Sequence, residues 1–327
     1  GSPLNLFESM RRAQGSGYHS ALRCGPFQIL SASPELFLRL EKDIVTTRPM
    51  KGTASRGRWL REDRDAKERL RSSAKNRAEN LMIVDLARND LSRICRPGTV
   101  SVPELFHVEE YRTVHQMVSE VQGELEPRKD LADLMGAVFP PGSVTGAPKI
   151  EACRLITELE PSSRGLYTGT IGMLTPERRG MFNVAIRTAV HDNRDATVTY
   201  GTGGAVTWDS EPNDEFLEAD AKARIIERTW PHFRLLEPLR LDSNGITRQE
   251  RHLDRMGRSA RFFGFDDPRP AARRRLQRLG RDGRERPARI RLLADENGKV
   301  ELQLSPLPDT PELPLVILDT EPVDASN

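Results

Sequence analysis

At 327 residues, with 37% apolar side chains, the chain is long enough for two domains, each with its own core. Its formal charge of +2 argues against a globally basic nucleic-acid or membrane-surface binder, and no apolar run approaches the roughly 20 residues that a membrane helix needs. The three cysteines, Cys24, Cys95 and Cys153, form no CxxC pair and have no histidine at metal spacing, so they read as reduced thiols of a cytoplasmic protein.

In chain order, strands are expected at 27–32, 35–40 and 44–47, the first two parted by Ser33-Pro34. The Ala-, Arg-, Lys- and Glu-rich stretch 61–87, with an apolar stripe through Leu70, Ala74, Ala78, Leu81 and Met82, predicts one long helix. Strands follow at 99–108 and 111–125, then a helix at 131–138 and a Pro-Pro-Gly loop ending at Gly142. A helix over 147–159 carries Pro148 early, where proline is tolerated. Three strands (168–174, 181–190, 196–201) precede a helix over 209–228. A second unit begins near residue 231. It reads as a strand over 233–241, helices over 247–263 and 270–279, a hairpin of 288–294 and 300–304 turning at Glu296-Asn297-Gly298, and a last strand over 313–318. Arginines crowd 248–291 but alternate with acids at helical spacing, which predicts a solvated helix face.

Several side chains carry candidate chemistry. Glu215 and Glu218 share a helix face, and Glu79 lies on another helix. Carboxylates converging from two helices would suit a hard cation such as Mg²⁺, although spacing alone favours exposed acids. Lys51 stands between Pro49 and Gly52 at a strand-to-loop corner. As a nucleophile it must be neutral, and only about one unperturbed lysine in a thousand is neutral near physiological pH; read alone, a surface lysine in a turn is the better explanation. The run Tyr200-Gly201-Thr202-Gly203-Gly204-Ala205 offers backbone N–H groups to a carboxylate or phosphate, but is neither a Walker A loop nor a dinucleotide fingerprint. His115 lies on an apolar strand. Arg187 ends another, where a guanidinium can clamp a carboxylate or pair with a neighbouring acid.

Together, SASPELF (31–37), RPMKGT (48–53), AKNRAENLMIVDLARNDLSR (74–93), TVHQMVSEVQGEL (113–125), FPPGSVTGAPKIEA (139–152), RGLYTGTIGML (164–174), FNVAIRTAV (182–190) and YGTGGAVTWDSEPNDEFLEADAKA (200–223) resemble the chorismate-utilising enzyme family. The resemblance implies an α+β fold, a β-sheet sandwich with helices, over residues 1–230. It implies Mg²⁺ held by Glu79 and Glu218 with Glu215 behind them, His115 near the substrate ring, and Glu35 as acid/base at the C4 hydroxyl. Arg187 and Tyr167 match contacts to the enolpyruvyl carboxylate, and Thr145 with the backbone at Gly203 and Ala205 matches further carboxylate contacts. Gly52 and Lys222 fall in the substrate-binding blocks.

Within the family, anthranilate synthases resemble P-I-A-G-T at the second block and aminodeoxychorismate synthases P-I-K-G-T. Pro49-Met50-Lys51-Gly52-Thr53 is similar to the latter, which implies a lysine nucleophile at C2 and amination at C4, toward p-aminobenzoate and folate. Anthranilate synthase is the alternative, and a catalytically inactive interaction module is one of another class. Chorismate and ammonia are the implied substrates. A glutamine amidotransferase subunit is the implied partner, since no cysteine here sits in a nucleophile elbow.

Residues 231–327 resemble the N-terminal part of a class IV aminotransferase-like PLP domain of the aminodeoxychorismate lyase kind, with Arg255 matching its phosphate-binding arginine. Lys299 is the only lysine after Lys222, so a PLP-dependent step is expected only of a more complete version of that domain. Few residues precede the first block and the chain begins without Met, so both edges read as truncated.

Overall fold

A computed structural model describes residues 2–208, 210–226, 232–281 and 287–307. The chain divides into two compact units, Gly1–Pro231 and His232–Asn327.

The first unit opens with α1 (Pro3–Gln14), capped by the Ser2 hydroxyl and started by Pro3, and β1 (Tyr18–Cys24); neither is anticipated by the sequence reading above. Then come β2 (Phe27–Ser33), β3 (Leu36–Glu41), β4 (Ile44–Arg48) and β5 (Met50–Ser55). The single helix expected over 61–87 is two, α2 (Leu60–Ser72) and α3 (Ala74–Ser92). They part at Ser73, whose extended backbone ends one helix while its hydroxyl accepts from Asn76 N–H to start the next. Beyond the break the expected stripe is not the buried face: Leu81 and Met82 are exposed, whereas α3 buries Ile83, Val84 and Leu91.

Next are β6 (Ser101–Glu110), β7 (Val114–Glu124), α4 (Leu131–Val138), a 3-10 turn at Gly142–Val144, and α5 (Lys149–Leu159). β8 (Thr170–Leu174), β9 (Arg179–Val184), β10 (Thr188–Asp192), β11 (Thr197–Tyr200) and α6 (Pro212–Ala223) complete the unit. The strand expected over 181–190 is thus broken, because Arg187 takes a left-handed φ of 50°.

Among the described residues of this unit, one antiparallel sheet runs β1-β2-β10-β11 and a larger one β5-β7-β4-β3-β9-β8, with β6 on the far edge of β7. β4 and β5 lie end to end along one edge of β7, divided at Pro49, whose carbonyl accepts from Ser119 N–H. Two neighbouring strands cross between the sheets together: β2 continues into β3 past Pro34, and β9 into β10 past Ala185–Arg187, as expected of strands that turn the corner of a sandwich. The main core packs α3 and α4 on the larger sheet through Phe37, Leu38, Val84, Leu91, Val121 and Leu134.

The second unit contains β12 (Leu235–Asp242), β13 (Gly245–Ile246), α7 (Gln249–Phe263), α8 (Arg269–Arg281), β14 (Ala288–Ala294) and β15 (Val300–Pro306), its sheet ordered β13-β12-β14-β15. Leu253, Met256 and Leu276 of the helices pack on Leu239, Ile290 and Leu292 of the sheet. Arginines of the dense run pair locally, Arg269 with Asp267 (2.7 Å) and Arg273 with Glu250 (2.6 Å). The strand expected over 313–318 lies outside the described residues. No described helix is long and apolar enough to cross a membrane.

The Ser73 cap generates a prediction. Ser73→Ala should lower the unfolding free energy by about 1 kcal/mol, read by urea denaturation. An unchanged midpoint and slope would show that the break between α2 and α3 does not rest on that hydroxyl.

Candidate active site

Glu35 occupies the point where β2 becomes β3. Its N–H donates to the Ser33 hydroxyl (3.2 Å), its carbonyl accepts from Val184 N–H (3.1 Å), and the Ser33 hydroxyl donates to the Val184 carbonyl (2.6 Å). The backbone is thus fixed on both sides, and the side chain is 5% exposed. It lines a cavity of about 30 Å³ together with Thr47, Pro49, Asp90 and Ser143, room for about one water. Burial pushes the Glu35 carboxyl up to about 7, against the opposing pull of the Ser143 hydroxyl, the Lys51 charge and the Met50 backbone. A carboxylic acid half protonated near neutrality is poised for acid/base work.

Lys51 reaches this corner through a β-bulge. Met50 pairs with Val118 and Thr53 with Gln116, so Lys51 and Gly52 together stand opposite Met117. Gly52 has φ 96°, and a Cβ there would meet Asn76 at 3.1 Å, which is why glycine suits the position. The Lys51 carbonyl accepts from the Asn80 side chain (3.3 Å).

A second group forms around the glycine-rich run. The Tyr167 ring packs so closely on Gly201 that a Cβ there would lie 2.3 Å from it, and the Tyr167 hydroxyl stands against Gly203. Gly204 admits Glu215 in the same way: a Cβ would lie 2.6 Å from Oε2. Glu215 Oε1 accepts from Ser210 (2.6 Å), while its buried Oε2 has no hydrogen-bond partner. Lys222 Nζ donates to the Gly203 carbonyl (3.0 Å) and pairs with Glu218 (2.7 Å). Ala205 is exposed. Arg187 stands near Tyr200 and Tyr111; burial pulls its pKa below the usual arginine value. Thr145 donates its hydroxyl to the Pro141 carbonyl (3.0 Å), closing the 3-10 turn that presents Ser143.

His115 is fully buried. Its Nε2 lies 2.8 Å from Asp63 Oδ1, and Nδ1 has no hydrogen-bond partner. Asp63 receives the Arg56 fork (2.7 and 2.8 Å) and the Gly57 N–H (2.9 Å). Burial opposes its ionisation, but these donors and the nearby His115 hold it at about 2. Asp63 and Ser143 are functional neighbours that the sequence does not single out. Both are joined to their partners only by the tertiary fold, 52 residues apart in the case of Asp63 and His115.

The three expected metal ligands are not gathered into one cluster. Among the described residues, no group of three or more His, Cys, Asp or Glu side chains could hold one ion. Glu218 pairs along its own helix with Lys222, and Glu215 turns back to Ser210. The oxygen-only donor set still suits a hard cation, which takes one or two carboxylates and fills its remaining positions with water and substrate. The unpartnered Oε2 of Glu215 is the structural trace of such a demand.

The model of the chorismate binding enzymes matches residues 1–228. The chain belongs to the chorismate-binding enzyme family. Aminodeoxychorismate synthase component 1 of Bacillus subtilis is 41% identical over 226 residues, 69% of this chain and 48% of that protein. Anthranilate synthase component 1 of Aquifex aeolicus is 40% identical over 226 residues, 69% and 45% respectively. The crystal structure of anthranilate synthase component I from Streptococcus pneumoniae superposes with a TM-score of 0.63 at 35% identity, over 70% of this chain and 50% of that one. The chain spans about half the length of the relatives it matches, and overall identity does not separate the two activities.

Arg255, in the second unit, grips the buried carboxylate of Glu237, with Nε at 2.7 Å from Oε1, and His252 Nδ1 lies 2.8 Å from the other oxygen. The arginine proposed for a cofactor phosphate is therefore committed to a carboxylate. Lys299 stands just before β15 and closes the turn: its carbonyl accepts from Asp295 N–H (3.0 Å) and its N–H donates to the Asp295 carboxylate (2.8 Å). These residues do not fit a PLP site, and no chemistry is assigned to it.

In this member of the chorismate-binding enzyme family the Glu35 environment sets a pH dependence. The folded state holds the proton up to about 7, against 4.5 for the ordinary carboxyl. Its contribution is therefore complete below the unfolded pKa and is lost as pH rises through the folded one. Relative to Glu35→Gln, the parent should lose up to about 3 kcal/mol of unfolding free energy between about pH 5 and 8. Denaturant titrations of both proteins across that range measure it, and parallel profiles would show that Glu35 is not a buried acid.

Proposed function

We propose that the first unit aminates chorismate at C4, making 4-amino-4-deoxychorismate, with Lys51 as nucleophile and Glu35 as acid/base. The observation that carries the proposal is the juxtaposition at one corner of the sandwich of a buried carboxyl held near neutrality and a lysine whose charge it feels, delivered by a bulge. An enzyme that added ammonia directly to C2 would have no use for a lysine there.

In the proposed sequence the neutral Lys51 amine attacks C2. The two ring double bonds each shift by one position, and the C4 hydroxyl leaves as water with the proton supplied by Glu35. Ammonia then attacks C4, the double bonds shift back, and the C2–N bond to Lys51 breaks, the departing amine keeping its electron pair. Arg187 and Tyr167 would orient the enolpyruvyl carboxylate, with Gly203 and Thr145 bordering the second carboxylate and His115, steadied by Asp63, beside the ring. Mg²⁺, held by Glu79 and Glu218 with Glu215 behind them, would supply charge neutralisation at the ring carboxylate. Ammonia would come from a glutamine amidotransferase subunit, in keeping with relatives that are each named a component 1.

A second reading, anthranilate synthase, is favoured by the equal identity to relatives of that kind. It differs in product: ammonia would enter at C2. Replacing Lys51 with Ala separates the two. With chorismate, ammonium and Mg²⁺, the full chain should make the 4-amino product. K51A should lose it by a factor on the order of 10² or more, as expected when a covalent nucleophile is removed. Mass spectrometry of the products reads the outcome. Formation of the 4-amino compound by K51A at the parental rate would sink the covalent role, and a 2-amino product from the parent would establish the second reading.

A further inference from the structure

The bulge that delivers Lys51 has a dedicated support that plays no part in the chemistry proposed above. Opposite Met117, the β5 backbone bows away from β7, so the Lys51 carbonyl leaves the strand ladder. A buried carbonyl without a partner is costly, and here the partner is a side chain, Asn80 Nδ2 on α3 at 3.3 Å. Asn80 is 1% exposed, so water cannot take its place. Its Oδ1 accepts from the Ser119 hydroxyl (2.6 Å), and the Ser119 oxygen accepts from Phe106 N–H (3.0 Å). The relay runs one way: Phe106 N–H to Ser119 O–H to Asn80, then Asn80 N–H to Lys51 C=O. The carbonyl can only accept, which fixes the amide orientation, and the hydroxyl must then donate to Oδ1.

Three strands and a helix therefore converge on one peptide. Ser119 lies on β7, and its own N–H bonds the Pro49 carbonyl just before the bulge (3.2 Å). One helical turn before Asn80, Asn76 packs against Gly52 on the other side of that peptide, itself tied to the Ser73 cap (2.9 Å). The direction of the Lys51 side chain follows from the orientation of this peptide, because Cβ geometry is set by the backbone.

We infer that Asn80, buttressed by Ser119, is a positioning residue that locks the bulged Lys51–Gly52 peptide so that the Lys51 amine faces the Glu35 corner, and thereby favours C4 over C2 amination. The inference rests on the proposed role of Lys51. Asn80 touches neither substrate nor reacting atoms; it acts through the backbone of the residue that does. Without the amide, the carbonyl would turn to find another donor, and a lysine displaced by a fraction of an ångström would meet C2 less often. Ammonia could then reach C2 first.

The test compares Asn80→Ala, Ser119→Ala, the double variant and Lys51→Ala in the full chain with chorismate, ammonium and Mg²⁺. Thermal unfolding identifies the variants that remain folded. Asn80→Ala should lower kcat on the order of 10- to 100-fold, with KM for chorismate changed by less than about threefold. The ratio of 4-amino to 2-amino product should fall. Ser119→Ala should shift the ratio the same way by a smaller factor, and the double variant should match Asn80→Ala, since both act through one path. A folded Asn80→Ala with the parental ratio and kcat overturns the inference, and so does a loss confined to KM. If Asn80→Ala does not fold, Ser119→Ala decides: an unchanged product ratio overturns it. Loss of the 4-amino product in Lys51→Ala alone leaves the lysine chemistry standing and removes only the role of Asn80. Survival of that product in Lys51→Ala removes both.

Discussion

The first unit depends on two neighbouring strands leaving one sheet for the other at the same level. When β2 passes into β3 and β9 into β10, each loses its ladder partner for a few residues, and those backbone groups still need hydrogen bonds. The Ser33 hydroxyl takes up two of them, accepting from Glu35 N–H and donating to the Val184 carbonyl. The Arg187 carbonyl takes Ala32 N–H, at a residue whose left-handed backbone costs on the order of 1 kcal/mol. In return, the corner residues escape the strict alternation of a strand. Glu35 lies at one crossing and Arg187 at the other, so the irregular backbone of the crossings carries two of the residues proposed to act on the substrate.

The helix α3 couples that corner to the rest of the fold. One face sends Ile83, Val84 and Leu91 into the interior, and the turn that presents Asn76 and Asn80 faces the bulge. Near its other end Asp90, buried, accepts from Lys149 Nζ (2.5 Å), which also donates to the Val138 carbonyl (2.7 Å) and so ties α5 to the end of α4. The segment between those helices presents Ser143 to Glu35. A low-dielectric interior makes each satisfied polar contact stiff and each broken one expensive. The neighbours of Glu35 are thus held from α3, β5 and the 142–144 turn at once.

Much of this was legible in the sequence, and the part that was not has a common cause. Alternation and helical spacing reveal β2, β3, β7 and α5, and the motif blocks point to Glu35 and Lys51, which the structure brings to one corner. The break at Ser73 was hidden because a single polar cap leaves no visible gap between two helix-forming stretches, and apolar spacing there picked Leu81 and Met82, which are exposed, over Ile83 and Val84, which are buried. The interruption at Arg187 was hidden because a positive φ is unexpected for arginine. Asp63, Ser143 and Asn80 escaped notice for another reason. Each is an ordinary polar residue, on a helix or in the 142–144 turn, and its importance comes from a partner more than twenty residues away: His115, Glu35 and the Lys51 carbonyl. Local pattern carries no record of such pairings. The carboxylates Glu79, Glu215 and Glu218 show the converse, since their motifs are clear while the chain alone does not draw them into a cluster.

The nearness of the Lys51 charge to Glu35 also simplifies the proton inventory of the proposed reaction. Attack at C2 needs a free amine, and departure of water from C4 needs an acid. A carboxylate with an ammonium, and a carboxylic acid with an amine, contain the same number of protons. One transfer from lysine to glutamate therefore prepares nucleophile and acid together, without uptake from solvent. In water that transfer would be strongly uphill. Burial lessens the cost on the glutamate side by raising the Glu35 carboxyl to about 7, since the charged carboxylate loses most by desolvation.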